Sequence, residues 1–183
     1  MSSNMETSEV NTKETKKQNV PEDYKWTEIG VIPEDWRIET VDQITSRVGD
    51  GIHATPKYDV SGEYYFVNGN NIANGRIIFT KETKRVSKDE FYIHKRNLNS
   101  NSLLLSINGT IGNVAFYQGE KIVLGKSAAY LNITPNVIKE YIYYQLQTKY
   151  VQEYFYNNLT GTTIKNLGLG TISTTPIIIP PTL

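Results

Sequence analysis

Residues 103–117 read LLLSINGTIGNVAFY: an apolar run, an Asn-Gly-Thr step and a second apolar run. Asn-Gly between two such runs is a short-range hairpin signal, because both residues tolerate the positive φ that a tight hairpin turn demands. Strands are therefore expected over 103–107 and 111–117, joined through residues 108–110. The flanking segments carry the same pattern. EYYFVNGNNI (63–72) reads as a strand over 64–67 running into an Asn/Gly turn, GRIIFT (75–80) as the next strand, and GEKIVLG (119–125) and SAAYLNI (127–133) as two more. RVGDGIHATP (47–56) reads as a loop from its Gly, Asp and Pro content.

The period changes after Pro135. In NVIKEYIYYQLQTKYVQEYFYNNL (136–159), Ile138, Tyr141, Ile142, Leu146, Tyr150, Tyr154 and Phe155 recur at helical spacing. Pro135 and Asn136 suit the start, Asn157 and Asn158 the end, and Thr148 is a place to bend the helix or split it in two. The Tyr stripe is read as helix packing. A strand-rich middle followed by helices after residue 135 gives a mixed α/β (α+β) fold with a largely antiparallel sheet and no internal repeat.

Toward the N-terminus, residues 1–20 are nearly all polar and predict a disordered tail. Order is expected to begin near Tyr24 and Trp26, and WTEIGVIPEDWRIETVDQI (26–44) suggests a turn around Gly30 and Pro33, then a short extended or helical piece with Trp36 as a core anchor. The 183 residues suit one domain with its own core. The absence of cysteine removes disulfides, thiolate metal sites and a Cys nucleophile together, and fits a reducing compartment. No apolar run approaches the roughly 20 residues that span a bilayer, and the first 20 residues hold no signal-type apolar stretch. A cytoplasmic location is the expectation.

The formal net charge of zero hides an uneven distribution. Residues 21–75 carry four basic and ten acidic side chains, net −6, whereas 76–96 carry seven basic and three acidic, net +4, and 121–183 five and two, net +3. A solvated charged face explains this on charge alone as well as a polyanionic partner does.

The usual catalytic arrangements are missing. His53 and His94 stand 41 residues apart with no cysteine to complete a metal set. There is no Gly-x-Ser-x-Gly elbow, phosphate-loop spacing, Gly-x-Gly-x-x-Gly order, Asn-Pro-Pro-Tyr, or Pro-Asp with Glu-x-Lys. What remains is a concentration of hydrogen-bond donors. FVNGNNIANGR (66–76) places Asn68, Asn70, Asn71, Asn74 and Arg76 within nine residues, and Asn and Arg pair bidentately with adenine and guanine edges. KETKR (81–85) adds Lys81, Lys84 and Arg85, suited to phosphates. TGTTIK (160–165) adds threonine hydroxyls, amides opened by Gly161, and Lys165. Each Asn-rich turn taken singly is an ordinary turn; their clustering with the basic segment favours DNA.

Four stretches, in order, resemble the specificity subunits of type I restriction-modification systems. YKWTEIGVIPEDWRIETVDQI (24–44) resembles the segment that precedes a target recognition domain, and DGIHATPKYDVSGEYYFVNGNNIANGRI (50–77) its Asp-Gly-x-His-x-Thr-Pro loop with the following strand. LLLSINGTIGNVAFY (103–117) resembles its Gly-Thr-Ile-Gly hairpin, and LTGTTIKNLGLGTISTTPIIIPP (159–181) its Gly-Thr-Thr loop and closing Ile/Pro strand. The resemblance implies a curved sheet, no catalytic activity, and recognition of one half of a split DNA sequence. It implies partners as well: methyltransferase (modification) and restriction subunits, which would carry S-adenosylmethionine, ATP and Mg, this chain carrying no cofactor. Residues 21–183 are then one recognition domain, expected to stop before a spacer helix just past Pro181, and Gly168 and Gly170 stand where the family has a short polar helix.

On this reading Arg76 and the turn with Asn68, Asn70 and Asn71 are the candidates for base edges. Lys57, Lys81, Lys84, Arg85, Lys126 and Lys165 are candidates for phosphates, with Thr162 beside them, and His53 is expected to hold its loop by a hydrogen bond. The alternative is a protein-interaction module without DNA contact, favoured by the acidic 21–75 segment.

Overall fold

The computed structural model describes residues 20–181, so the expected tail over 1–20 lies outside the described residues but for Val20. The chain divides into two compact units, one from the segment up to Arg37 with the segment from Ile179, the other from Ile38–Ile178.

In the first unit, β1 (Tyr24–Thr27) and β2 (Gly30–Pro33) form an antiparallel hairpin in full register, Tyr24 opposite Pro33 and Thr27 opposite Gly30. The Thr27 hydroxyl donates to the Gly30 carbonyl at 2.7 Å, and Glu34 N–H to the Asp23 carbonyl at 2.8 Å, fastening both ends. Trp36 is half-buried and absent from the fully buried set, so it is a weaker anchor than expected.

The second unit starts at Ile38, within β3 (Arg37–Thr40), which pairs with β13 (Pro176–Ile179). Val41 N–H bonds the Thr175 carbonyl at 3.0 Å and Asp42 N–H the Ser173 carbonyl at 3.0 Å, so the two ends of this unit are tied together. Its main sheet has four antiparallel strands in the order β10 (Val114–Phe116), β9 (Ser102–Ser106), β12 (Ala128–Ile133), β4 (Thr45–Asp50). Residues 47–50, expected as loop, therefore form part of an edge strand. Pairing with the apolar β12 overrides the poor strand propensity of Gly49 and Asp50.

A second sheet has the order β11 (Ile122–Leu124), β5 (Tyr64–Val67), β8 (Arg85–Val86), with β11 parallel and β8 antiparallel to β5. Both faces are covered. Val67, Ile122 and Leu124 enter one core cluster with Leu104, Ala115, Ala128 and Tyr130; Tyr64, Phe66 and Val123 enter another with Ile52 and Val86. This is why the strand reads as a continuous apolar run instead of an alternation.

The tight Asn-Gly hairpin falls elsewhere than expected. β9 and β10 are antiparallel partners, Leu105 opposite Val114, but residues 107–113 form a longer connection. The two-residue turn is Asn74–Gly75, at φ 51° and 75°, between β6 (Ile72–Ala73) and β7 (Arg76–Ile77). GRIIFT thus supplies only a two-residue strand, preceded by a single 3-10 turn at Gly69–Asn71.

Four helices complete the unit: α1 (Lys88–His94), capped by the Ser87 hydroxyl, α2 (Lys139–Leu146), α3 (Lys149–Asn157) and α4 (Leu169–Ser173). The long helical stretch is divided at Gln147–Thr148, with Thr148 the N-cap of α3. Ile142, Leu146, Val151 and Phe155 are fully buried along this pair, whereas Ile138, expected on the same stripe, is 51% exposed. α4 forms despite Gly168 and Gly170, with Ile172 buried beneath it.

Candidate functional site

The site begins with strand ends. Ser106 at the end of β9 lies opposite Ala128 at the start of β12, and Ala129 lies opposite Asp50 at the end of β4. Three connections, 51–57, 107–113 and 125–127, therefore leave the sheet side by side. Two further loops are fastened to them. Gly69 N–H donates to the Ser127 hydroxyl at 2.9 Å, and that hydroxyl donates to the Asn68 carboxamide oxygen at 3.0 Å. Leu167 N–H bonds the Ile107 carbonyl at 2.9 Å, and Asn108 bridges Asn166. Asn68, Asn70, Lys126, Thr162 and Lys165 are thereby gathered at one end of the sheet, although up to 97 residues separate them in sequence.

The 3-10 turn divides labour among its asparagines. Asn71 is 6% exposed; its oxygen accepts the Asn68 N–H at 3.0 Å and its NH2 donates to the Ile78 carbonyl at 2.9 Å and the Thr83 hydroxyl at 3.3 Å. Asn71 is thus corrected from a base-contact candidate to the internal brace of the turn. Asn70 is exposed, and its side chain has no partner among the described residues.

Lys84 links this turn to the basic segment. It lines a cleft of about 170 Å³ with Asn68, Asn70, Thr83 and Tyr58, and an adjoining one of about 340 Å³ with Lys81, Glu82 and Arg85. The guanidinium of Arg85 sits 5.0 Å from the Tyr65 ring centre and donates to its hydroxyl at 3.1 Å, while the Phe79 ring packs against the same ring with centres 4.3 Å apart. Two carboxylates share these walls. Ser61, through its hydroxyl and backbone amide, holds the Asp59 carboxyl below the ordinary aspartate range, and the Thr80 hydroxyl does the same for Glu82. The larger cleft therefore sets three cations against two ionised carboxylates.

Arg76 lines neither cleft. Its turn is seated against β10, Gly75 N–H bonding the Val114 carbonyl at 3.1 Å and Phe116 N–H the Gly75 carbonyl at 3.1 Å. Lys57 is exposed, its backbone N–H taken by the Glu90 carboxylate at 3.1 Å. His53 meets Asp50 at 2.7 Å, the hydrogen bond expected of it. Among the described residues no cluster of three or more His, Cys, Asp or Glu side chains could hold a metal ion, and no helix is long and apolar enough to cross a membrane.

Residues 33–182 match the family described as the type I restriction modification DNA specificity domain. The chain belongs to this family. The specificity domain is 28% identical over 163 residues to the type I restriction enzyme MjaIX specificity subunit of Methanocaldococcus jannaschii, covering 86% of this chain and 37% of that protein. It is 33% identical over 128 residues to the putative type I restriction enzyme MjaX specificity subunit of the same organism, covering 68% and 30%. The fold is shared with the S subunit of a type I restriction-modification system from M. genitalium (TM-score 0.54, 21% identity, 79% of this chain and 34% of that one). It is shared also with the HsdS subunit from Thermoanaerobacter tengcongensis (TM-score 0.59, 14% identity, 93% and 39%). The specificity domain thus spans roughly a third of the length of the curated relatives it matches.

Sequence reading missed three participants of the specificity domain's clefts: Tyr58, 47% exposed with its ring edge-on to Phe66 at 5.8 Å, and Thr80 and Thr83. Tyr58 follows Lys57 directly, which was the available signal; the threonines showed none, since their role depends on how 78–83 folds back over Asn71.

Proposed function

We propose that this chain is a target recognition domain that reads a short half-site of duplex DNA, about three to five base pairs, and directs modification and restriction subunits to it. The observation that carries the reading is the gathering of Asn70, Lys84, Lys126, Thr162 and Lys165 around one end of the main sheet, from four separate loops. Exposed amides read base edges, while ammonium groups and threonine hydroxyls hold phosphates and set the register. Asn68, braced by Ser127, keeps its NH2 available for a base, and Lys81, Arg85 and Lys57 extend the phosphate surface. Arg76 belongs to the reading only as a contact at its margin.

The domain is non-catalytic on this reading, with no cofactor of its own; methyl transfer and ATP-driven cleavage, with S-adenosylmethionine, ATP and Mg, fall to the partner subunits, and the complex works in the cytoplasm. Co-expression with a cognate modification subunit, followed by mapping of methylated sites, yields the target. Mobility shifts on that target and on a scrambled duplex then test the reading. Binding that favours the target supports it; no shift on any duplex at tens of micromolar in low salt overturns it in favour of a protein-interaction module.

A further inference from the structure

Away from the loops already assigned, a cleft of about 460 Å³ opens between β4 and the segment after α1, lined among others by Arg47, Asp50, Lys95, Arg96, Asn97 and Tyr130. Its cations are placed by the fold. Arg96 is locked by two backbone carbonyls, Nε donating to Asp50 at 2.8 Å and Nη2 to Gly51 at 3.0 Å, which leaves Nη1 without a partner among the described residues. Arg47 Nε donates to the Tyr130 hydroxyl at 3.0 Å and keeps both Nη groups. Tyr130 reaches it only because residue 49 is glycine, where a Cβ would lie 2.7 Å from that hydroxyl oxygen. The Lys95 ammonium rests 5.0 Å over the Tyr92 ring. None of the three has a carboxylate partner among the described residues.

Three held cations in one cleft, none with a carboxylate partner, suit an anion. The Asp50 carboxylate, bonded to His53 at 2.7 Å, stands in the same cleft and selects the kind of anion. Its charge penalises a multiply charged phosphate more than a singly charged phosphodiester. Position points the same way. Arg47 stands three residues before the end of β4, roughly 10 Å back from the loops at about 3.3 Å per residue, and phosphates of one strand advance about 3.4 Å each along the duplex.

We propose that Arg47, Lys95 and Arg96 form a phosphodiester cleft that holds the DNA backbone about three nucleotides outside the bases being read. The proposal rests on the recognition reading above and extends it to a surface with no role in choosing bases.

The test uses the full chain with Arg47→Gln, Lys95→Gln and the double substitution, titrated by fluorescence anisotropy. The duplexes are the mapped target trimmed to its recognised base pairs, the same target extended by about ten base pairs on each side, and an extended scrambled sequence. On both extended duplexes each substitution lowers the salt slope by about one. The gap between the double variant and the unaltered chain then narrows roughly twelvefold as monovalent salt rises from about 50 to about 200 mM. On the trimmed duplex the variants match the unaltered chain, and preference for target over scrambled sequence is kept. Among the described residues the Lys95 ammonium has no partner but the Tyr92 ring, so Lys95→Gln folds even if Arg47→Gln does not, as circular dichroism reports. Unchanged slopes on extended duplexes, or equal losses on the trimmed one, overturn the cleft alone. An unaltered chain that binds no duplex overturns the recognition reading, and the cleft with it.

Discussion

Ser127 gives its hydroxyl hydrogen to Asn68 at 3.0 Å while accepting the N–H of Gly69 at 2.9 Å, so one side chain fixes both the amide that faces the cleft and the turn that bears it. Ser127→Ala removes both bonds, worth roughly 0.5–1.5 kcal/mol each. Urea denaturation is expected to show a loss of about 1–3 kcal/mol, accompanied by weaker discrimination between target and scrambled DNA. A loss of stability with discrimination intact argues that Asn68 is not a reader.

Asn70 and Asn71 are adjacent and opposite in role. Asn70→Ala leaves thermal stability unchanged and removes roughly 1–3 kcal/mol of preference at one base pair. Asn71→Ala leaves the Asn68 N–H and the Ile78 carbonyl unpaired in a part-buried turn and costs about 1–3 kcal/mol of folding stability. Paired measurements of melting and of target preference separate the two, and exchanged phenotypes disprove the assignment.

Lys84 and Glu82 face the same cleft with opposite signs. Lys84→Ala weakens all duplexes alike and lowers the salt slope by about one, whereas Glu82→Gln strengthens all duplexes at low salt and loses that advantage at high salt. Anisotropy titrations over a range of salt concentrations check both.

The Thr80 hydroxyl favours the ionised form of Glu82, so its pKa is depressed in the folded chain. The associated stabilisation is present above the unfolded pKa and fades as pH falls through the folded one. Thr80→Val moves the Glu82 midpoint up toward the ordinary glutamate value, and acidification then strengthens DNA binding at a higher pH than in the unaltered chain. A carboxyl-carbon NMR titration of the two proteins reads the shift, and identical midpoints refute it.

Elements whose pairing is local, or whose apolar content is unbroken, were legible in sequence. YYFV at 64–67 is β5 with no residue gained or lost, and the Thr148 break between α2 and α3 follows from a hydroxyl that caps better than it continues a helix. β4 was hidden because Arg47, Gly49 and Asp50 are poor strand formers, recruited by a partner 80 residues downstream. The connection at 108–110 departs from a tight turn for a related reason. Asn108 is drawn away to Asn166, so its connection opens into a long loop while Asn74–Gly75 takes the tight turn. The site showed the same division: exposed charge was readable, but Asn71 looks like Asn70 until the fold buries it.

The loop at 160–166 is closed by a reciprocal pair of backbone bonds between Thr160 and Asn166, each 2.9 Å, and Gly161 at φ 85° makes the bend. Everything between, from Thr162 to Lys165, is exposed and contributes nothing to the core. Such a clasp separates scaffold from grip: four consecutive codons can be rewritten without repacking the protein, so on the proposed reading the hold on DNA phosphates is evolutionarily cheap to alter at this spot, whereas changes at Asn71 or Ser127 are costly.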